Sequence, residues 1–168
     1  MQETAQQYVQ RILSNLEGKN TVKVLSSTPQ KIKKLISGVP KKNLYKQPAP
    51  DKWSVAQIVA HLADSELVLG WRYRSVAEKS GVTLQPYDQD IWMGISNHQA
   101  SNINAMLEMY SVLRQANLRF LTGLPEKKME NYGIHLERGK ETIRHIMNLE
   151  AGHDLNHFNQ IKKILNKK

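Results

Sequence analysis

His153 and His157 stand four residues apart in the segment LEAGHDLNHFNQIKKI, a spacing that puts two imidazoles on one face of a helix. Four positions turn a helix by about 40° and advance it by about 6 Å, so both rings can grip one ion. The apolar stripe that runs through Ile143, Ile146 and Met147 continues onto Glu150, His153 and His157 before it returns to Ile161 and Ile164. Polar residues therefore occupy the middle of a buried face, where unpartnered imidazoles are costly. One helix cannot complete a metal site. His61, set among Ile58, Val59, Leu62 and Leu69, is the candidate third ligand. A single histidine on an apolar face is more often a hydrogen-bonded core residue, but three in the middle of packed helices point to a divalent cation. Three neutral imidazoles leave a coordination position open, unlike closed structural zinc sites. A cation there can bring the pKa of a bound water towards neutrality or polarise a substrate oxygen or sulfur. The chain has no cysteine, so its ligands and nucleophiles must be histidine, carboxylate or hydroxyl groups.

Glu150 precedes His153 by three positions, and Glu-x-x-His pairs also serve di-iron bundles. That alternative fails on the count, because the other histidine helix carries His61, Asp64 and Glu66 in the wrong order. Glu150 reads instead as a partner that orients an imidazole, or as a solvated residue. Asp64 and Glu66 carry the same two readings, and Asp154, off the inward stripe, is expected on the rim. His98 at a helix start, His135 in a loop and His145 off the stripe are expected to be solvated or structural. Three imidazoles suit zinc, nickel, copper or iron.

These residues need helices to hold them. Ala5, Tyr8, Val9, Ile12, Leu13 and Leu16 have the period of a first amphipathic helix that closes at Gly18. A second begins near Asn20, is restarted by Thr28 as N-cap and Pro29 as first helical residue, and stops at Gly38 and Pro40. Residues 41–52 read as an ordered loop. Ser54 with Gln57 forms a capping box, and Trp53 with Ile58 a hydrophobic staple, for a helix of about 26 residues to Gly81. Another is expected from Ser96, with Gln99 three positions on, to Gly123 and Pro125, and a last one from near Lys140 to the end. With no strand-like alternation, the pattern predicts an all-α, four-helix bundle as one domain over 1–168. The connections from Gly81 to Ile95 and from Gly123 to Gly139 are long for a bundle. The first, with Tyr87 and Trp92, reads as a lid over a pocket or as a packed crossover.

A chain of 168 residues suits one core. Its apolar content, 40%, is ordinary, and no stretch reaches the roughly 18 apolar residues of a membrane span. The N-terminus lacks the pattern of a secretory signal, so a cytoplasmic protein is expected. The 24 basic residues against 15 acidic ones give a net charge of +9, but they scatter into short knots such as Lys31, Lys33 and Lys34. Nucleic acid is disfavoured as a partner because no recognition motif accompanies the charge.

The segments KWSVAQIVAHLADSELVLGWRYR, PYDQDIW and GHDLNHFNQI together resemble the DinB-like superfamily of bacterial four-helix bundles. The resemblance implies an up-down-down-up bundle, a homodimer, and a nickel, zinc or similar divalent ion on His61, His153 and His157. It also implies a small-molecule substrate: relatives activate low-molecular-weight thiols or are named metal-dependent hydrolases. Glu66, Arg72, Tyr87 and Glu150 are the matching candidates for supporting or substrate-contacting groups. The expected function is that of a metal-dependent enzyme, a hydrolase or thiol transferase, activating water or such a thiol against an electrophilic small molecule. The alternative is a non-catalytic metal-binding or stress-associated bundle.

Overall fold

Two helices begin with full capping boxes. Thr4 and Ser54 accept from the backbone N–H groups of Gln7 and Gln57, whose side chains accept in turn from the cap residues' own N–H groups. These open α1 (Ala5–Ser14) and α4 (Val55–Glu78). The computed structural model describes residues 3–96 and 102–167. Its other elements are α2 (Thr21–Ile36), α3 (Lys41–Tyr45), β1 (Val82–Leu84), α5 (Gln89–Ile95), α6 (Ile103–Thr122), a 3-10 turn over Glu126–Glu130, β2 (Tyr132–His135), β3 (Gly139–Thr142) and α7 (Ile143–Ile164). None of the described helices is long and apolar enough to cross a membrane.

The bundle consists of α2, α4, α6 and α7. Glu66 and Gly70 of α4 meet Arg114 and Asn117 of α6 in the same order, so those two helices run parallel. Thr21 and Leu35 of α2 reach Asn148 and Lys167, at the start and just beyond the end of α7, which makes that pair parallel as well. Across the pairs the order reverses: His61 meets His153 while Tyr73 meets Glu150, and Leu25 meets Arg114 while Ile32 and Ile36 pack with Ile103 and Leu107. The result is the up-down-down-up arrangement. It requires a long crossover between the parallel helices α4 and α6.

The sequence expectation of a restarted second helix is corrected. Asn20 caps one unbroken α2, and Thr28 donates to Val24 O inside it rather than capping a new helix. Pro29 lacks the N–H that would bond Leu25 O. Arg114 Nη1 donates to that freed carbonyl at 2.9 Å, so the helix continues through the proline. Residues 41–52 contain the short α3. The helix expected from Ser96 begins instead at Ile103 with Asn102 as its cap, while Ser96 closes α5. Gln99 and His98 lie outside the described residues. The last helix starts at Ile143, capped by Thr142, because Lys140 is still in β3.

Strands were not expected, yet both long connections contribute to one three-stranded sheet. β1 pairs parallel with β2, and β2 pairs antiparallel with β3. Gly133 is fixed by this packing, since a Cβ there would sit 2.6 Å from Leu84 Cγ. Two apolar clusters fill the bundle, one around Ile32, Ile58, Leu62 and Ile161, the other around Leu25, Tyr73, Val76 and Ile146. Between them on α4, α6 and α7 lie the buried polar residues His61, Glu66, Arg114, Asp154 and His157.

Candidate metal centre

Helix α4 carries His61 and helix α7 carries His153 and His157, brought face to face by antiparallel packing. His153 Nε2 lies 3.0 Å from Nε2 of His61 and 3.0 Å from Nε2 of His157. One ring nitrogen from each residue falls within 4.8 Å of the other two. Tetrahedral zinc, with Zn–N near 2.0–2.1 Å, spaces its nitrogens about 3.3 Å apart, so the two contacts of His153 need to open by only a few tenths of an ångström to suit such an ion. A proton on one nitrogen cannot satisfy all of these contacts as well as a shared cation does.

The surroundings prepare the rings for that role. His157 Nδ1 donates to Gln160 Oε1 at 2.9 Å, which leaves Nε2 bare and facing the cluster. Trp53, the staple residue ahead of α4, stacks on His157 at 6.4 Å between ring centres and lies 4.9 Å from His61. Burial pushes His157 down to about 4, with the Gln160 bond opposing the shift. His153 is held well below the usual histidine range, first by burial and then by its two histidine neighbours. Both rings are neutral at neutral pH, the state that ligates metals.

A cavity of about 760 Å³ opens onto His61 and His153. α1 supplies Tyr8 and Ile12 to its wall, α4 supplies Ser65 and Arg72, the α4–α6 crossover Tyr87, and the sheet and its hairpin His135 and Arg138. Tyr87 thus lines the pocket, with its hydroxyl 3.0 Å from that of Ser65 and its ring 4.7 Å from Trp92. Arg72 is buried in the wall, where Nη2 donates to Gln85 O at 2.6 Å.

Glu66 and Glu150 do not orient the imidazoles. Arg114 of α6 draws both, together with Asp154, into a buried cluster: Nη2 lies 2.6 Å from Glu66 Oε1 and 3.0 Å from Glu150 Oε1, and Nη1 lies 2.6 Å from Asp154 Oδ2. Asn117 Nδ2 donates to Glu66, Tyr110 to Asp154, and Tyr73 makes a short bond to Glu150. One guanidinium cannot offset three buried anions. Burial, reinforced by Glu66, raises Glu150 well above the usual carboxyl range, so it stays protonated more readily. Burial also raises Asp154, against the opposing pull of Arg114.

Asp154 is therefore core, 1% exposed, not rim. The stripe reading was too narrow because α7 packs on α1 and α2 as well as on α4, which buries more than one line of its surface. The loop expected for His135 is likewise corrected: it is a buried residue of β2, which leaves the structural of its two expected roles and not the solvated one. Burial, with Arg138 and Arg72 nearby, lowers it to about 4. His145 sits half-buried in the first turn of α7, its N–H donating to the Thr142 cap. Asp64 is half-buried on α4. Gln160 was overlooked, although its place three residues after His157 on the same face was a readable signal. Arg114 gave no such signal, because its partners come from other helices.

The family model of the DinB superfamily matches residues 25–161. A Bacillus cereus protein named "Putative metal-dependent hydrolase" is 22% identical over 143 residues, covering 85% of this chain and 82% of that protein. One of the same naming from Oceanobacillus iheyensis is 25% identical over 116 residues, covering 69% of this chain and 67% of its own. The solved structure of YfiT from Bacillus subtilis, described as having an unusual four-helix bundle topology, superposes with a TM-score of 0.78 at 19% identity, over 88% of this chain and 87% of YfiT.

Proposed function

The chain belongs to the DinB superfamily, and from that premise we propose that it is a metal-dependent enzyme whose divalent ion is held by His61, His153 and His157. The observation that carries this reading is access: the cavity reaches His61 and His153, and Trp92 does not line it. A non-catalytic bundle has no need of an open path to its ion. A divalent ion so placed supplies Lewis acidity to water or to a low-molecular-weight thiol, in hydrolysis or in transfer to an electrophilic small molecule.

The chain's own groups do the rest. Gln160 fixes the proton of His157 on Nδ1, and the Trp53 ring lies beside those of His61 and His157. Ser65 and Tyr87 offer hydroxyls to a substrate on the open side. Exposed Leu67 and Trp71, one turn apart on α4, support a homodimer as part of the same proposal. The test is a screen of ester, amide and thiol-plus-electrophile substrates with zinc- or nickel-loaded protein, chelated protein and His157→Ala. Turnover that needs both metal and His157 is expected; turnover unchanged by chelation and by His157→Ala would overturn the proposal.

A further inference from the structure

Arg72 is 7% exposed, and its Nε is buried with no hydrogen-bond partner. Its Nη2 serves Gln85 O and lies 3.3 Å from His135 Nε2. No carboxylate of the described residues forms an ion pair with it. A buried guanidinium with an unanswered donor is costly, and an opposite charge is the usual remedy. The neighbouring cation is already answered, since Arg138 forks onto the buried carboxylate of Glu141 at 2.6 and 3.1 Å. Of the acids around the cavity, Glu3 pairs with Arg11, Asp88 caps α5 and Glu150 belongs to the Arg114 cluster, while Glu137 is exposed on the hairpin and makes no ion pair with Arg72. His135 stays uncharged at neutral pH and so does not compete for an anion.

We propose that Arg72 forms an anion subsite of the cavity, binding the carboxylate or phosphate group of a small molecule whose other end reaches His61 and His153. The proposal rests on the metal-centre reading only for that far end. Positions 61, 65 and 72 share one face of α4, and eleven residues separate the outer two by about 16 Å along the axis. Long side chains on a helix lean towards its N-terminus, so the guanidinium is aimed back towards His61 and the gap shrinks to the order of 10 Å. A cavity of about 760 Å³ accommodates a molecule of that length. Ser65 and Tyr87 lie between the two ends and can meet its polar middle. A side-on contact through Nε favours an oxyanion over a neutral amide oxygen, because both partners then carry charge.

The experiment follows the arginine Nε–H resonances of ¹⁵N-labelled protein, tag-free as purified and after metal stripping, during titration with hexanoate, ethyl phosphate and neutral hexanamide. Hexanoate or ethyl phosphate is expected to shift the Arg72 resonance in both forms, and the tighter of the two identifies the oxyanion. Hexanamide is expected to leave it in place. Arg72→Gln should weaken the anion at least tenfold while metal content stays that of the wild type. An Arg72 resonance unmoved by either anion, or hexanamide binding as tightly as hexanoate, would overturn the subsite however the variant folds. Absence of metal from the wild type with the anion shift intact would instead sink the metal centre and leave the subsite standing.

Discussion

Gln160 contributes one hydrogen bond to His157, and its worth can be measured. Removing a group that orients a metal-bound imidazole usually costs about 10–100-fold in affinity. Gln160→Leu should therefore weaken zinc by that factor in a competition titration with a chromophoric chelator, with little change in the melting temperature of the metal-free protein. His135 makes a prediction in pH. Its unfolded value is near 6.5 and its folded value about 4, so the folded state binds fewer protons between these limits. Stability from this group is fully present above pH 6.5 and is lost as pH falls towards 4. Denaturant titrations at intervals across that window should show a steeper loss in the wild type than in His135→Gln. Glu150 has the opposite sign, because its raised folded value makes its contribution complete below pH 4.5 and smaller above. Glu150→Gln should gain on the wild type as pH rises. At this scale the histidine set was legible because two of its members share a helix and interrupt its apolar stripe. Arg114 and its three carboxylates were not, since each contact joins residues more than 30 positions apart and leaves no local period.

The elements hold the site through close approaches that a sequence shows only as small residues. Gly152 of α7 lies against the backbone of α1, where a Cβ would come 2.2 Å from Ile12 O. No rotamer change relieves a clash with backbone, so Gly152→Ala must push α1 away. A loss of about 1–3 kcal/mol is expected by thermal or urea denaturation, comparable to overpacking a core. Because α1 supplies Tyr8 and Ile12 to the cavity, the same variant should also weaken hexanoate binding. The long helices were readable from their periods, and the capping box at Ser54 was placed to the residue, whereas the caps expected at Thr28 and Ser96 were not borne out. The sheet was not, because strands of three or four residues are too short to establish an alternation. The continuity of α2 through Pro29 was hidden for a different reason: the group that repairs the missing bond is Arg114 on another helix.

For the whole molecule, the bundle and the site are one construction. Polar side chains sit between two apolar clusters, and the antiparallel packing of α4 on α7 that joins those clusters also brings the histidines together. A ligand that binds only the folded state adds RT ln(1 + [L]/Kd) to its stability, about 2.7 kcal/mol at a hundred times Kd. Zinc or nickel should thus raise the melting temperature, and a chelator should reverse the rise. The most direct measurement is the metal content of tag-free protein by elemental analysis, beside His61→Ala, His153→Ala and His157→Ala variants shown to remain folded. The account predicts one divalent ion per wild-type chain and its loss in each variant. A wild type that takes up no ion from zinc or nickel, or three variants that retain it in full, would contradict it.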